Sequence, residues 1–279
     1  MRYSFLFVMM IAYLYCPAQN TIKGFVTDAT NKTPVAGSSV FITNTSFGTV
    51  SDQNGYFEIN NLPPGNYELV TSNVGYETAV YSFSAGTAPV QVRFLVRPKT
   101  EVMETVVVGG YITERWQKWG RIFLEYFIGL NDNSRKTVLK NHKVLQFRFY
   151  KNQNILKVVA REPLIIENSA LGYKIVYDLQ DFEINFKEHS NFYAGYTLFS
   201  DLKGTPSAIS KWGRNREQAY QGSLMQFFRA LYNDRLNEDG FAVRRMQRVP
   251  NIEKIRVRQL YKLLVDSAMR DPKRDRFLN

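Results

Sequence analysis

The sequence predicts an all-β sandwich over residues 21–98, followed by an α+β domain with an antiparallel sheet over residues 112–243. Three observations carry this. From Thr21 onward, β-prone runs recur about every ten residues, with Gly, Pro, Asn and Asp clustered between them. Within the runs apolar and polar residues alternate, as in Val90, Val92, Phe94 and Val96 against Gln91, Arg93 and Leu95. After Tyr111 the period lengthens: Trp116, Trp119, Phe123, Tyr126, Phe127 and Leu130 recur at three- and four-residue steps, then strands return.

The 279 residues suffice for two domains of about 150 residues each, and 44% apolar composition supplies two cores. The first eighteen residues stand apart. Arg2 makes a short basic n-region and Tyr3 to Tyr15 an apolar stretch, and Cys16 and Ala18 sit at the −3 and −1 positions before Gln19. This reads as a signal peptide, residues 1–18. The apolar run is short for a membrane anchor, and bulky Tyr15 before Cys16 argues against lipidation there. Cleavage after Ala18 leaves a chain with no cysteine, so disulfides, thiolate catalysis and Cys-ligated zinc are excluded.

Charge is uneven. Residues 19–110 hold five Lys/Arg and seven Asp/Glu, whereas residues 111–279 hold thirty and eighteen, so the second part carries the basic excess. Eleven of those basic residues fall within 244–279. In an exported protein such a tail suits an anionic envelope surface or acidic partner better than nucleic acid. A solvated helix face, with the apolar side packed on the second domain, is the plainer expectation.

In the first domain, strands are expected at Ile22 to Thr27, Ser39 to Ile42, Gly48 to Ser51, Tyr56 to Ile59, Tyr67 to Ser72, Thr78 to Phe83 and Val90 to Val96. Asp52-Gln53-Asn54-Gly55 reads as a tight hairpin turn, because Asn-Gly supplies positive φ. It begins like a calcium loop but lacks the closing bidentate Glu. Pro63-Pro64-Gly65 ends one strand and starts the next. Phe57 and Ile59 should face inward, Tyr56 and Glu58 outward.

Gly24-x-Val26-x-Asp28, Pro34-Val35-Ala36-Gly37, Asp52-x-x-Gly55-x-Phe57, Pro64-Gly65-x-Tyr67 and Gly75-Tyr76-Glu77 together resemble the carboxypeptidase regulatory-like domain. That family is a transthyretin-like Greek-key sandwich, widespread in exported Bacteroidota proteins. The resemblance implies a folding or docking module, not a catalyst. Residues 99–111 read as a linker or extra strand. Their Glu104-Thr105-Val106-Val107-Val108-Gly109 run is similar to the segment after this sandwich in TonB-dependent nutrient receptors, but the remaining residues lack the alternation of a barrel.

In the second domain a helix should run from Trp116 and stop at Gly129. Strands follow at Leu145 to Tyr150, Ile155 to Ala160, Tyr173 to Leu179, Phe182 to Phe186 and Tyr196 to Asp201. A second helix should start at Asn215, with Gln218 completing a capping box, and stop at Gly240. The stretches EPLIIENSALGYKIVYDL, FYAGYTLFSDL and NREQAYQGSLMQFFRALYNDRLNEDGF resemble the region after this sandwich in Bacteroidota proteins of unknown function. That resemblance brings no activity with it.

Candidate chemistry is sparse. His142 and His189 have no His or Glu at metal-ligand spacing. Ser223 lacks the glycine that completes a nucleophile elbow. Asp178, Asp181, Glu183 and Glu188 cluster, with Asp181 and Glu183 roughly 7 Å apart on one strand face. That spacing is compatible with a glycosidase pair, but it is common on any wet sheet. Lys211-Trp212-Gly213-Arg214-Asn215-Arg216 places an aromatic among bases ahead of a helix. It could hold a sugar or an anion there, or be a plain helix entry with solvated arginines.

The sequence therefore predicts an exported, non-enzymatic envelope protein, periplasmic or outer-membrane-associated, with no catalytic, cofactor-binding or metal-binding residues. An envelope protein or glycan is the expected partner. The alternatives are a carboxylate-dependent hydrolase, an accessory to a peptidase, or a remnant of a TonB-dependent receptor's N-terminal region. Residues 244–279 remain as a basic tail with helical potential.

Overall fold

The computed structural model describes residues 20–86, 89–99, 110–247 and 249–269, the last six by backbone alone. The signal peptide expected at 1–18, Cys16, most of the linker expected at 99–111, and the chain end from 270 lie outside the described residues. The chain separates into two compact units between Gln218 and Ala219.

Seven strands build the sandwich: β1 (Ile22–Asp28), β2 (Ser39–Ile42), β3 (Gly48–Val50), β4 (Tyr56–Ile59), β5 (Gly65–Ser72), β6 (Ala79–Ala85) and β7 (Val90–Val96). One sheet has three strands, with β1 between antiparallel β4 and parallel β7. The other is antiparallel, in the order β3-β2-β5-β6. Alternation along β7 is as the sequence predicts, with Val92, Phe94 and Val96 buried and Gln91, Arg93 and Leu95 exposed. Phe57 and Ile59 join them in a core shared with Ile22, Val26, Val40, Ile42 and Leu69. Burying each such side chain contributes about 1.5–3 kcal/mol.

The Asp52–Gly55 turn differs from expectation. It closes no hairpin, because β3 and β4 lie in different sheets. Asp52 Oδ1 accepts from the N–H groups of Asn54 and Tyr56, each at 2.8 Å, and so shapes the arch between the sheets. Only Gly55 takes positive φ, at +72°, and a Cβ there would stand 2.4 Å from the Val26 carbonyl oxygen. The glycine answers both a backbone conformation and a close approach.

The second sheet contains β8 (Ile112–Glu114), β9 (Thr137–Leu139), β10 (Leu145–Tyr150), β11 (Ile155–Ala160), β12 (Leu164–Asn168), β13 (Tyr173–Asn185) and β14 (Ser190–Asp201). The sequence suggested separate strands on either side of residue 180. Instead β13 is continuous, and its pairing with β14 shifts between Leu179 and Asp181. That irregularity takes up one residue, so Leu179 and Phe182, of opposite parity, both reach the core. β14 lines one edge of β13 along its length; β12 pairs with the start of the other edge and β11 with its end. Helix α1 (Trp116–Phe127) packs on this sheet through Trp119 and Phe123. Tyr126 and Leu130, expected on the same stripe, are exposed: the helix has ended before Leu130, and Tyr126, within it, stays outside the core.

The two sheet systems are joined by backbone hydrogen bonds. The N–H of Asn44 donates to the Thr197 carbonyl at 2.8 Å, and the N–H of Phe199 to the Thr45 carbonyl at 2.9 Å. The Thr197 N–H donates to Thr43 Oγ1 at 3.1 Å. The β2–β3 turn thus adds a short parallel rung to β14. Beside it, the Thr78 hydroxyl donates to the buried Asp178 carboxylate at 2.7 Å.

The helix expected from Asn215 starts earlier and breaks. Helix α2 (Pro206–Tyr220) begins after Thr205, whose hydroxyl accepts from the Ala208 N–H. Asn215 is an interior residue, not a cap. The chain breaks at Gly222, with φ +75°, and restarts as α3 (Leu224–Tyr232). In the second unit, α4 (Ile252–Met269) makes the basic tail helical through Met269. Every described side chain from Ile252 to Leu263 is exposed.

Candidate functional site

Several of the sequence-named residues have a local structural role. His142 lies in a 3-10 turn with its ring 4.7 Å from that of Trp116. His189 is exposed in the β13–β14 turn at φ +54°. Ser223 caps α3, its hydroxyl accepting from the Gln226 N–H at 3.1 Å. Among the described residues no group of three or more His, Cys, Asp or Glu is placed to hold a metal.

The acidic cluster disperses. Asp178 is buried against Thr78, while Asp181 is exposed beyond the register shift. Glu183 pairs with Lys157 on neighbouring β11 at 3.1 Å, and that bond raises the Lys157 ammonium's pKa. Glu188 sits in the hairpin turn, its N–H donating to Asn185 Oδ1. Nearby, burial pushes the Tyr177 phenol up to about 12, with Tyr193 and Asp178 adding to the effect, so it stays neutral.

Lys211–Arg216 lies inside α2 rather than ahead of a helix, which removes the proposed helix N-terminus. Its residues grip the β12–β13 turn instead. Trp212 Nε1 donates to the Ser169 carbonyl at 3.0 Å, and Asn215 Nδ2 to the Ala170 carbonyl at 2.7 Å. Arg216 reaches the Leu171 carbonyl at 2.7 Å, the Gly172 carbonyl at 3.1 Å and Asp201 Oδ1 at 2.7 Å. Its guanidinium lies 3.7 Å from the centre of the Tyr173 ring. Gly172, at φ +70°, leaves room for the indole of Trp212; a Cβ there would come within 2.2 Å of it.

The surface best suited to binding was not singled out from the sequence. On the outer face of the three-stranded sheet, cross-strand pairing aligns Tyr56, Phe25 and Arg93 in one row, and Glu58, Lys23 and Gln91 in the next. Phe25 is 41% exposed, and its ring meets Tyr56 edge-on at 5.5 Å. These rows border a hollow of about 420 Å³. The Tyr56 hydroxyl donates to the Glu58 carboxylate; this bond holds Glu58 below the usual carboxylate range and raises the Tyr56 phenol. The signal was available: Phe25 has the outward parity of Lys23 and Thr27, an unusual place for a large apolar ring on a strand whose other outward residues are polar.

A larger hollow, about 540 Å³, lies by β5 and β6 and is bordered by Asn44, Asn66, Tyr67 and Ser84. Glu68 and Ser82 also border it, and several of its polar groups are already engaged. Asn66 accepts from Ser84, Tyr67 donates to the Pro63 carbonyl, and the Asn44 N–H is used in the joint to β14. The smaller hollow sets an exposed aromatic ring beside a guanidinium.

Comparison with known proteins bears on the sandwich. Residues 22–108 match the family model described as CarboxypepD_reg-like domain. Over 93 residues the chain is 33% identical to the TonB-dependent receptor SusC of Bacteroides thetaiotaomicron, a stretch covering 33% of this chain and 8% of that protein. Among solved structures, a type II cohesin–X-dockerin complex from Acetivibrio cellulolyticus aligns at 24% identity and TM-score 0.27, covering 33% of this chain and 65% of the other. The 5-hydroxyisourate hydrolase of Klebsiella pneumoniae aligns at 20% identity and TM-score 0.25, covering 29% of this chain and 92% of the other.

Proposed function

We propose that this chain, whose residues 22–108 match the carboxypeptidase regulatory-like domain, is a non-catalytic binding or docking protein of the cell envelope. The observation that carries this is the division of labour in the sandwich. The turn between β2 and β3 is spent on the joint to β14, while the outer face of the β4-β1-β7 sheet presents an exposed aromatic and an exposed guanidinium. Export to the periplasm or outer membrane is supported by the N-terminal pattern and by the kinship of the sandwich with SusC. Among the described residues no helix is long and apolar enough to cross a membrane. The basic α4 is a further contact for an anionic surface, since its described side chains are all exposed.

The test is affinity capture from envelope extract with the wild type and a Phe25→Ala/Arg93→Ala variant. A partner retained by the wild type and lost by a variant of unchanged melting temperature supports the reading. Equal retention by both refutes it for this face. Reproducible turnover of peptide, glycan or ester substrates, removed by Asp181→Asn or Glu183→Gln, would show a hydrolase instead.

A further inference from the structure

We infer that the hollow on the outer face of the β4-β1-β7 sheet is a site for a carboxylate-bearing glycan. This rests on the binding-module reading and names the ligand class for its open face. Three features converge. First, Phe25 and Tyr56 give two rings in edge contact at 5.5 Å, with Phe25 exposed, so an apolar C–H face of a sugar ring finds an aromatic platform. Second, Arg93 on β7 stands directly opposite Phe25 of β1 and, among the described residues, makes no hydrogen bond or ion pair. A guanidinium so placed is a ready bidentate partner for a carboxylate. Third, Lys23 and Gln91 occupy the adjacent row and supply donors and an acceptor at hydroxyl height.

Charge favours an acidic over a neutral sugar. Glu58 is the row's acidic side chain, and its carboxylate is engaged by the Tyr56 hydroxyl and attracted by Lys23. Glu58 offsets Lys23, which leaves Arg93 uncompensated. The backbone argues against an added peptide strand. β1 is the central strand, hydrogen-bonded on both edges, so the floor of the hollow offers no free N–H or C=O row. At about 420 Å³ the hollow is of small-ligand size.

The experiment uses the full exported chain and titrates three probes by calorimetry at about 150 mM salt: an oligogalacturonate, a neutral malto-oligosaccharide of equal length, and an oligo-dT. The oligogalacturonate should bind, and the other two should bind at least about tenfold more weakly. Phe25→Ala changes no charge yet should weaken oligogalacturonate binding about tenfold, as should Arg93→Gln. Arg161→Gln, an equal charge change at an exposed position after β11, should leave binding unaltered. The inference is overturned by no oligogalacturonate binding, by equal binding of the neutral sugar or of oligo-dT, or by affinity that ignores Phe25 and follows total charge. If Phe25→Ala fails to fold, Arg93→Gln against Arg161→Gln decides alone. If no acidic sugar binds and yet the face variant loses its envelope partner, this inference falls while the binding-module reading stands.

Discussion

Replacing Arg216 by Lys isolates what the grip of α2 on the β12–β13 turn contributes. The guanidinium spans two carbonyls, Leu171 at 2.7 Å and Gly172 at 3.1 Å, and lies 3.7 Å from the centre of the Tyr173 ring. An ammonium keeps the charge but lacks the fixed fork that meets both carbonyls in one plane, and it loses the planar stacking. Hydrogen bonds from a charged donor contribute about 1.5–3 kcal/mol when buried. The Arg216 side chain is 31% exposed, so a value near 1 kcal/mol for the lost bond is appropriate, with ~0.5–1 kcal/mol more for the ring contact. The ion pair with Asp201 adds little, because that carboxylate is 72% exposed and such pairs give about 0–1 kcal/mol. Arg216→Lys should therefore cost about 2 kcal/mol and Asp201→Asn under about 1 kcal/mol. In a unit of this size that is a melting-temperature drop of about 4–8 °C for the first and about 2–4 °C at most for the second. Trp116, Trp119 and Trp212 all belong to this unit, so tryptophan fluorescence follows its unfolding directly. If Asp201→Asn costs as much as Arg216→Lys, or neither moves the transition, the guanidinium-to-carbonyl contacts do not anchor the helix.

Two further outcomes follow from buried polar groups. Thr78→Val removes the donor to buried Asp178 and should lower stability by about 1–3 kcal/mol in urea titration; an unchanged midpoint would mean that the joint between the sheet systems is open in solution. Asp28 is held below its ordinary pKa first by the Thr30 N–H, then by the Asn31 N–H and Tyr76 hydroxyl, against the opposing effect of burial. Its folded value is depressed, so its contribution stands above about pH 4 and is lost as pH falls through the folded value. Asp28→Asn should remove that part of the acid sensitivity, seen as a shallower fall of the urea midpoint below about pH 4; an unchanged slope would show that the carboxylate carries none of it.

The sandwich was legible because its information is local. The parity of Val90 to Val96 states which side is buried, and the turn residues state where each strand stops. Pairing is not local, and there the reading thinned. Asn54-Gly55 looks the same whether the next strand pairs with the last or crosses to the opposite sheet, and here it crosses. Asn215 followed by Gln218 matches a capping box, yet the turn it grips lies more than forty residues earlier in the chain. The opposite parities of Leu179 and Phe182 pointed to a break, and a bulge resolved them without one. For the site, Phe25 is visible in sequence as an outward-facing ring, but its meeting with Tyr56 and Arg93 depends on a register that joins one antiparallel and one parallel neighbour.

The rung between the β2–β3 turn and β14 also sets an order of events during synthesis. All seven sandwich strands have been made by Val96, whereas the acceptor at Thr197 arrives about a hundred residues later. At a ribosomal pace of about 5–20 residues per second, several seconds pass with the Asn44 N–H and Thr45 carbonyl unpaired by their final partner. The nascent sandwich thus carries a temporary adhesive strip on an otherwise finished module. A holding chaperone or an early downstream strand would compete for it until β14 emerges.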